Sequence, residues 1–271
     1  SSGVAHLDIS QVQETLNKKY DYTILIVEDD WDIRAYLQHE LSGNFNVLVA
    51  ENGAKALGIL LKENVSLVVS DVMMPEMNGF ELCRTIKSQL PFSHIPVILL
   101  TALTDERQRI FGITGGGDDY IQKPFHTDYV KIKIIHLLQE RQKLRERLLE
   151  KLRDNKLLLS EPEKVESIDD AFLRKFAEQI EAVYADPEYN VEKLSETLGL
   201  SRGHLHRKIK ELTGTAPVEF LRTYRLNKAT QLLRQNAYTV SEVAYRSGFS
   251  SPAYFSKCFK AVYGVTPTEY Q

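Results

Sequence analysis

Four short apolar runs in the first half of this chain each end in polar residues, and nothing else in the sequence restricts its fold as tightly. Thr23 to Val27 ends in Glu28-Asp29-Asp30. Leu67-Val68-Val69-Ser70 ends in Asp71, which opens the stretch Val72-Met73-Met74-Pro75-Glu76-Met77-Asn78-Gly79. Val97 to Leu100 ends at Thr101, and Asp119-Tyr120-Ile121-Gln122 runs into Lys123-Pro124. Amphipathic segments such as Ile33–Leu41 and Ala54–Lys62 separate these runs. Alternation of apolar, β-branched strands with helical periodicity predicts a parallel sheet covered on both faces. In open sheets of that kind ligands bind beyond the C-terminal ends of the strands. That is where Glu28, Asp29, Asp71, Thr101 and Lys123 fall.

The 271 residues suggest two domains, at roughly 100–200 residues each. The first, over residues 21–140, has strands expected near 23–27, 46–49, 66–70, 96–100 and 119–122. Five strands give the flavodoxin-like, doubly wound arrangement. No apolar run approaches the ~20 residues of a membrane helix, and no segment resembles a signal peptide. Cys83 and Cys258 match no metal-binding spacing, so they read as reduced packing residues of a cytosolic protein. Residues 1–20 read as linker, with Ser1-Ser2-Gly3 as a cloning remnant. Charge is uneven. Residues 21–127 hold 15 acidic and 8 Lys or Arg side chains, a balance of −7, and residues 190–271 hold 6 and 12, a balance of +6. An acidic half and a basic half suggest a cation site in one and a polyanion partner in the other.

From Asp128 to Leu159 there is no Gly or Pro, and Leu137, Leu144, Leu148 and Leu152 recur at helical spacing. One long helix is expected to leave the first domain here, with residues 141–165 as a linker able to pair with a second copy as a coiled coil. Glu161-Pro162-Glu163 ends it. Residues 166–271 are helical throughout in pattern. Ser167 with Asp170, Thr239 with Glu242 and Thr266 with Glu269 have capping-box spacing. Ser251-Pro252 and Thr266-Pro267 place a capping hydroxyl before a proline at the first helical position. The region repeats itself. Val191…Gly199 matches Val240…Gly248, and Leu205, Gly214, Pro217 and Glu219 match Phe255, Gly264, Pro267 and Glu269 after one inserted residue. Each copy reads helix, glycine turn, helix, which is a helix-turn-helix, and a helix near 218–235 joins the two.

Crowded carboxylates at Glu28, Asp29 and Asp71 repel one another and recruit a cation. Oxygen ligands with room for water suit Mg²⁺, which would neutralise an incoming phosphoryl group while a carboxylate acts as nucleophile. Lys123 and Thr101 would then meet the phosphate. Each residue alone is weak evidence, since a carboxylate after a strand is more often a helix cap. Their convergence at one sheet edge is what counts. Gly115-Gly116-Gly117 precedes a strand and lacks a Lys-Ser/Thr ending, so it reads as a turn rather than a phosphate cradle.

On these motifs, residues ~22–140 resemble the receiver domain of bacterial two-component response regulators, with a CheY-like fold. The resemblance implies Asp71 as phospho-acceptor and Mg²⁺ held by Glu28, Asp29, Asp71 and the carbonyl of Met73, with Glu28 acting through water. It implies Thr101 and Tyr120 as a switch pair, Lys123 as the phosphate-binding lysine and a cis peptide bond before Pro124. It gives Asp30 no ligand role. Phosphorylation would draw Thr101 inward, rotate Tyr120 and repack the surface around the fifth strand and its flanking helices. Met73 and Leu103, two residues after Asp71 and Thr101, flank the path of hydrolytic water in this family. Both are apolar here, so self-dephosphorylation is expected to be slow.

In the basic half, Leu205, Ile209 and Leu212 mark the buried stripe of the second helix of the first repeat, with Gly203, His206, Arg207 and Lys210 opposite and Arg202 and His204 near its start. In the second repeat Phe255, Phe259 and Val262 are expected to be buried, with Ala253, Ser256, Lys257 and Lys260 wholly or partly outward. A basic second helix suits the DNA major groove. The repeat and the sequence from Ala244 to Lys260 resemble the DNA-binding domain of AraC-type transcription regulators. That resemblance implies base contacts from His206, Arg207, Ala253 and Lys257, and phosphate contacts from Arg202, Lys210, Ser250 and Ser251. Gly203 stands where the family often has a larger side chain, and no small-molecule ligand domain accompanies the motif.

Together the two resemblances imply a phosphorylation-controlled transcription regulator rather than an enzyme. Its partners would be a histidine kinase in the same or a separate chain, double-stranded DNA, a second copy when phosphorylated, and RNA polymerase. The same pairing resembles the C-terminal end of hybrid sensor kinases. In that case Val4–Tyr20 would be kinase linker, and a cytoplasmic protein would instead be membrane-tethered. One rival is a receiver used only as an interaction module. Another is a haloacid-dehalogenase-like phosphatase, which usually carries a second Asp where Met73 stands.

Overall fold

Each of the apolar runs forms a strand in the computed structural model, which describes residues 18–102, 117–153 and 167–271. The strands are β1 (Thr23–Val27), β2 (Asn46–Ala50), β3 (Leu67–Asp71), β4 (Val97–Thr101) and β5 (Asp119–Gln122), all parallel, in the order β2-β1-β3-β4-β5. β2, β3 and β4 end one residue later than the apolar pattern suggests; in β3 and β4 the ladder continues through the polar residue. Asp71 pairs opposite Leu100 and Thr101 opposite Gln122. The ends of β3 and β4 are therefore rigid sheet rather than loop.

Alternate residues of one strand feed opposite faces. Leu25, Val27, Val68 and Leu99 join one core with Ala56, Leu60, Leu82 and Ile86. Ile24, Ile26, Val69 and Ile98 join the other with Leu37, Leu41, Val130 and Ile134. Among the described residues the helices over these faces are α1 (Trp31–Ser42), α2 (Gly53–Lys62), α3 (Gly79–Ser88) and α4 (Thr127–Arg153). Asp30 caps α1 by accepting from the N–H groups of Asp32 and Ile33, and Asn78 with Glu81 closes a capping box on α3. The long helix expected from Asp128 begins one residue earlier. Its expected continuation beyond Arg153, like Gly115, Gly116 and Leu103, lies outside the described residues.

The chain divides after Gln142 into two compact units. The second contains α5 (Ile168–Val183), α6 (Val191–Leu198), α7 (Arg202–Thr213), α8 (Pro217–Arg234), α9 (Val240–Arg246), α10 (Pro252–Tyr263) and α11 (Pro267–Tyr270). All three capping boxes expected here form. The repeat is structural: α6–α7 corresponds to α9–α10. The matched glycines Gly199 and Gly248 have φ of 69° and 85°, and Gly214 and Gly264 have φ of 75° and 79°, a left-handed region that side chains with Cβ avoid.

Two expectations about the buried stripes need correction. Val262 is 50% exposed, and Leu212 is half-buried. The stripes follow the i, i+4 rows, so Tyr263 packs beside Phe255 and Phe259, and Thr213 is buried with Leu205 and Ile209. Cys258 and Lys208 are buried as well.

Candidate phosphoryl-acceptor pocket and nucleic-acid interface

The β1–β2 ladder runs on into Glu28, whose N–H donates to Ala50 O at 3.1 Å. Glu28 and Asp71 are buried, whereas Asp29 is exposed. One carboxylate oxygen from each of Glu28, Asp29 and Asp71 lies within 4.8 Å of the others. On the far side β4 and β5 deliver Lys123, whose N–H donates to Thr101 O at 2.8 Å and which precedes a cis bond to Pro124. Its ammonium lies 2.9 Å from Asp71 Oδ1 and 3.0 Å from Glu28 Oε2. Thr101 is buried at the end of β4, and Tyr120 is half-buried against the core that contains Cys83 and Leu99.

Burial pushes the Glu28 carboxyl above its ordinary range, the Asp71 charge adds to this, and the Lys123 hydrogen bond opposes it. Burial alone would lower Lys123, but its hydrogen bonds to Asp71 and Glu28 outweigh that, and the net shift is upward. With all four groups ionised, three carboxylates and one ammonium leave a formal −2. An all-oxygen donor set with that residual charge, one member open to water, fits a hard divalent cation such as Mg²⁺. Met73 has a 72% exposed side chain, so a metal role for it rests on its backbone carbonyl.

Two residues that sequence reasoning passed over shape this pocket. Arg34 on α1 donates from Nη1 to the carbonyls of Glu28, at 2.6 Å, and Asp29, at 3.1 Å, holding the turn that carries both acids. Gly79 starts α3 so close to β3 that a Cβ there would lie 2.2 Å from Asp71 O. Arg34 left no local signal. Gly79 directly follows Asn78, the cap of α3, and its close approach to β3 has no side-chain pattern to announce it. Asp30 has the role its neighbours left for it, as the α1 cap.

On the basic unit, Arg202, His206, Lys210, Ser250, Ala253 and Lys257 are exposed, and Arg207 and Ser251 are half-buried. Space is open around Gly203. Arg202 is paired with Glu192 at 2.7 Å. Ser251 caps α10, its oxygen accepting from the N–H of Tyr254 at 3.3 Å. His204 sits below its ordinary pKa, chiefly through burial and secondarily through Arg207.

Residues 24–135 match the family model described as a response regulator receiver domain, and residues 194–271 match a helix-turn-helix domain. The chain is 38% identical to "Histidine kinase P4" of Formosa agariphila over 265 residues, which is 98% of this chain and 19% of that protein. It is 40% identical to "Transcriptional regulatory protein GltR" of Pseudomonas aeruginosa over 121 residues, 44% of this chain and 50% of that one. The signal receiver domain of a signal transduction histidine kinase from Syntrophus aciditrophicus is 38% identical, with 44% of this chain and 91% of that one covered and a TM-score of 0.42. The chain thus spans a fifth of the first relative's length and half of the second's. Among the described residues no helix is long and apolar enough to cross a membrane.

Proposed function

We propose, for a chain that joins a response-regulator receiver domain to an AraC-type helix-turn-helix domain, that phosphorylation of Asp71 controls sequence-specific binding of promoter DNA. The observation that carries this reading is the convergence of Glu28, Asp29, Asp71 and Lys123 on one sheet edge. An Asp71 oxygen attacks the phosphorus of a phosphohistidine on a histidine kinase. The new P–O bond forms as the P–N bond breaks, and the imidazole leaves. Mg²⁺ held by Glu28, Asp29, Asp71 and the Met73 carbonyl would offset charge on the phosphoryl oxygens. Lys123 exchanges a carboxylate partner for a phosphate oxygen, and the Thr101 hydroxyl closes on another. Tyr120 turns into the space that Thr101 leaves, and the surface around β5 repacks. With the apolar Met73 beside the acceptor, the acyl phosphate lasts many minutes or longer.

Phosphorylated receivers then pair, α4 and the linker set the spacing of two basic units, and paired units gain avidity on repeated half-sites. His206, Arg207, Ala253 and Lys257 read bases, Arg202, Lys210, Ser250 and Ser251 hold phosphates, and RNA polymerase is the downstream partner. The Formosa relative, named a histidine kinase and aligned over nearly all of this chain, supports a hybrid origin with kinase and regulator in one polypeptide. The residues described here would act in the cytoplasm, the domains being 21–140, 141–165 and 166–271.

The test is molecular mass and DNA affinity with and without beryllofluoride and Mg²⁺, for wild type and Asp71→Ala. The wild type is expected to dimerise and bind more tightly, and the variant to do neither. A wild type that fails to respond overturns control by phosphorylation.

A further inference from the structure

Helix α7 carries four Lys or Arg side chains, and they fall into two kinds. Arg202 and Lys210 are exposed and Arg207 half-buried, whereas Lys208 is fully buried. Its Nζ lies 2.5 Å from Asp169 Oδ1 and 5.1 Å from the centre of the Phe172 ring. Both partners belong to α5, Asp169 in its first turn and Phe172 within its buried stripe. α5 precedes residues 194–271, the part that matches the helix-turn-helix family.

Removing an ammonium from water is unfavourable, and a buried ion pair is commonly no more stabilising than apolar side chains of the same volume. Stability alone therefore does not account for a lysine here. A charge pair between two helices adds a directional constraint on their relative roll, because any roll that parts the two groups leaves a buried ammonium unpaired. The second repeat supplies an internal comparison. The position equivalent to Lys208 is Cys258, and α10 is held by rings, with Phe255 5.2 Å from Phe249 in the preceding turn and Phe259 5.3 Å from Tyr270 of α11, centre to centre. α7 has only the aliphatic Leu205 and Ile209 at the matching positions, and such side chains grip less specifically.

We propose that the Asp169–Lys208 pair sets the roll of α7 on α5 and so aims the reading face. His206 and Arg207 precede Lys208 directly and Lys210 follows two residues on, so one roll of a helix with 3.6 residues per turn moves them together. Lys208 is a positioning residue and makes no contact with DNA. The inference rests on the DNA-binding reading above.

The test uses the full chain, a duplex that the wild type selects from a random-sequence library, and a scrambled duplex of equal length. Lys210→Met is expected to weaken both duplexes and lower the slope of log affinity against log salt by about one, as for a lost phosphate contact. Lys208→Met is expected to leave that slope unchanged, weaken the selected duplex at least tenfold and leave the scrambled one nearly as before. A slope change equal to that of Lys210→Met would make Lys208 a DNA contact and sink the proposal. So would an unchanged ratio between the two duplexes, which is what a purely structural pair predicts. If Lys208→Met does not fold, the double variant Asp169→Leu with Lys208→Met, which replaces the pair by apolar side chains, carries the same readout. A wild type that enriches no duplex overturns the DNA-binding reading itself, and this inference with it.

Discussion

The acidic pocket and the reading surface are both built from charged side chains, but they use charge differently. In the pocket, groups as far apart in sequence as Glu28 and Lys123 meet at 3.0 Å, and two of the three carboxylates are buried. On the reading surface most of the cations stand in solvent on two separate helices. Buried charges interact strongly and are costly to leave unpaired, whereas exposed ones are screened and nearly independent. Substitutions in the pocket should therefore act all-or-none, and substitutions on the surface should be graded and salt-dependent.

The largest expected effect is that of Lys123→Met. It removes the ammonium that touches both Asp71 and Glu28. DNA affinity measured with and without beryllofluoride is expected to show no response at all, with the fold retained by circular dichroism. A variant that still responds would mean that the pocket tolerates partial loss, and the contrast with the surface would break down. Gly79→Ala comes next. Its Cβ would sit 2.2 Å from the Asp71 carbonyl oxygen and 2.9 Å from the Val72 Cα, and both are backbone atoms that cannot swing away. Overpacking of this kind costs about 1–3 kcal/mol, here near the upper end, and thermal unfolding would show it as a lowered Tm. An unchanged Tm would mean that α3 can shift away from β3.

How far the sequence foretold these two regions follows the same contrast. The strands were legible because apolar runs alternate between two cores, and helix starts in the basic half because a cap needs only residues three apart, as at Thr239 and Glu242. The acid pocket was legible because strand order places every C-terminal end at one edge. What escaped depends on contacts between distant residues. Lys208 looks like any surface lysine until Asp169, 39 residues earlier, is seen beside it. Arg34 and Gly79 act on backbone that no side-chain pattern reveals. Val262 continues the i+3 spacing, but the packing follows i+4 to Tyr263.

On the surface, Lys257→Ala tests gradedness. The side chain is exposed on α10, and its loss is expected to lower the slope of log affinity against log salt by about one, leaving stability unchanged. Abolished binding at low salt would show that the second reading helix is as tightly coupled as the pocket.

The smallest expected effect sharpens the comparison furthest. Arg202 is held by Glu192, and both side chains are largely exposed, at 71% and 50%. Such a pair contributes little to the fold, but under the proposed DNA-binding role Arg202 would have to leave Glu192 to reach a phosphate. Glu192→Gln removes that competition. At low salt the variant should bind duplex DNA about two- to fivefold more tightly, the range set by an exposed ion pair. The gain should fade as salt screens the pair in the wild type, and Tm should not move. No gain at low salt would mean that Arg202 does not approach the backbone of the DNA, and the phosphate contacts of the first repeat would then rest on Lys210.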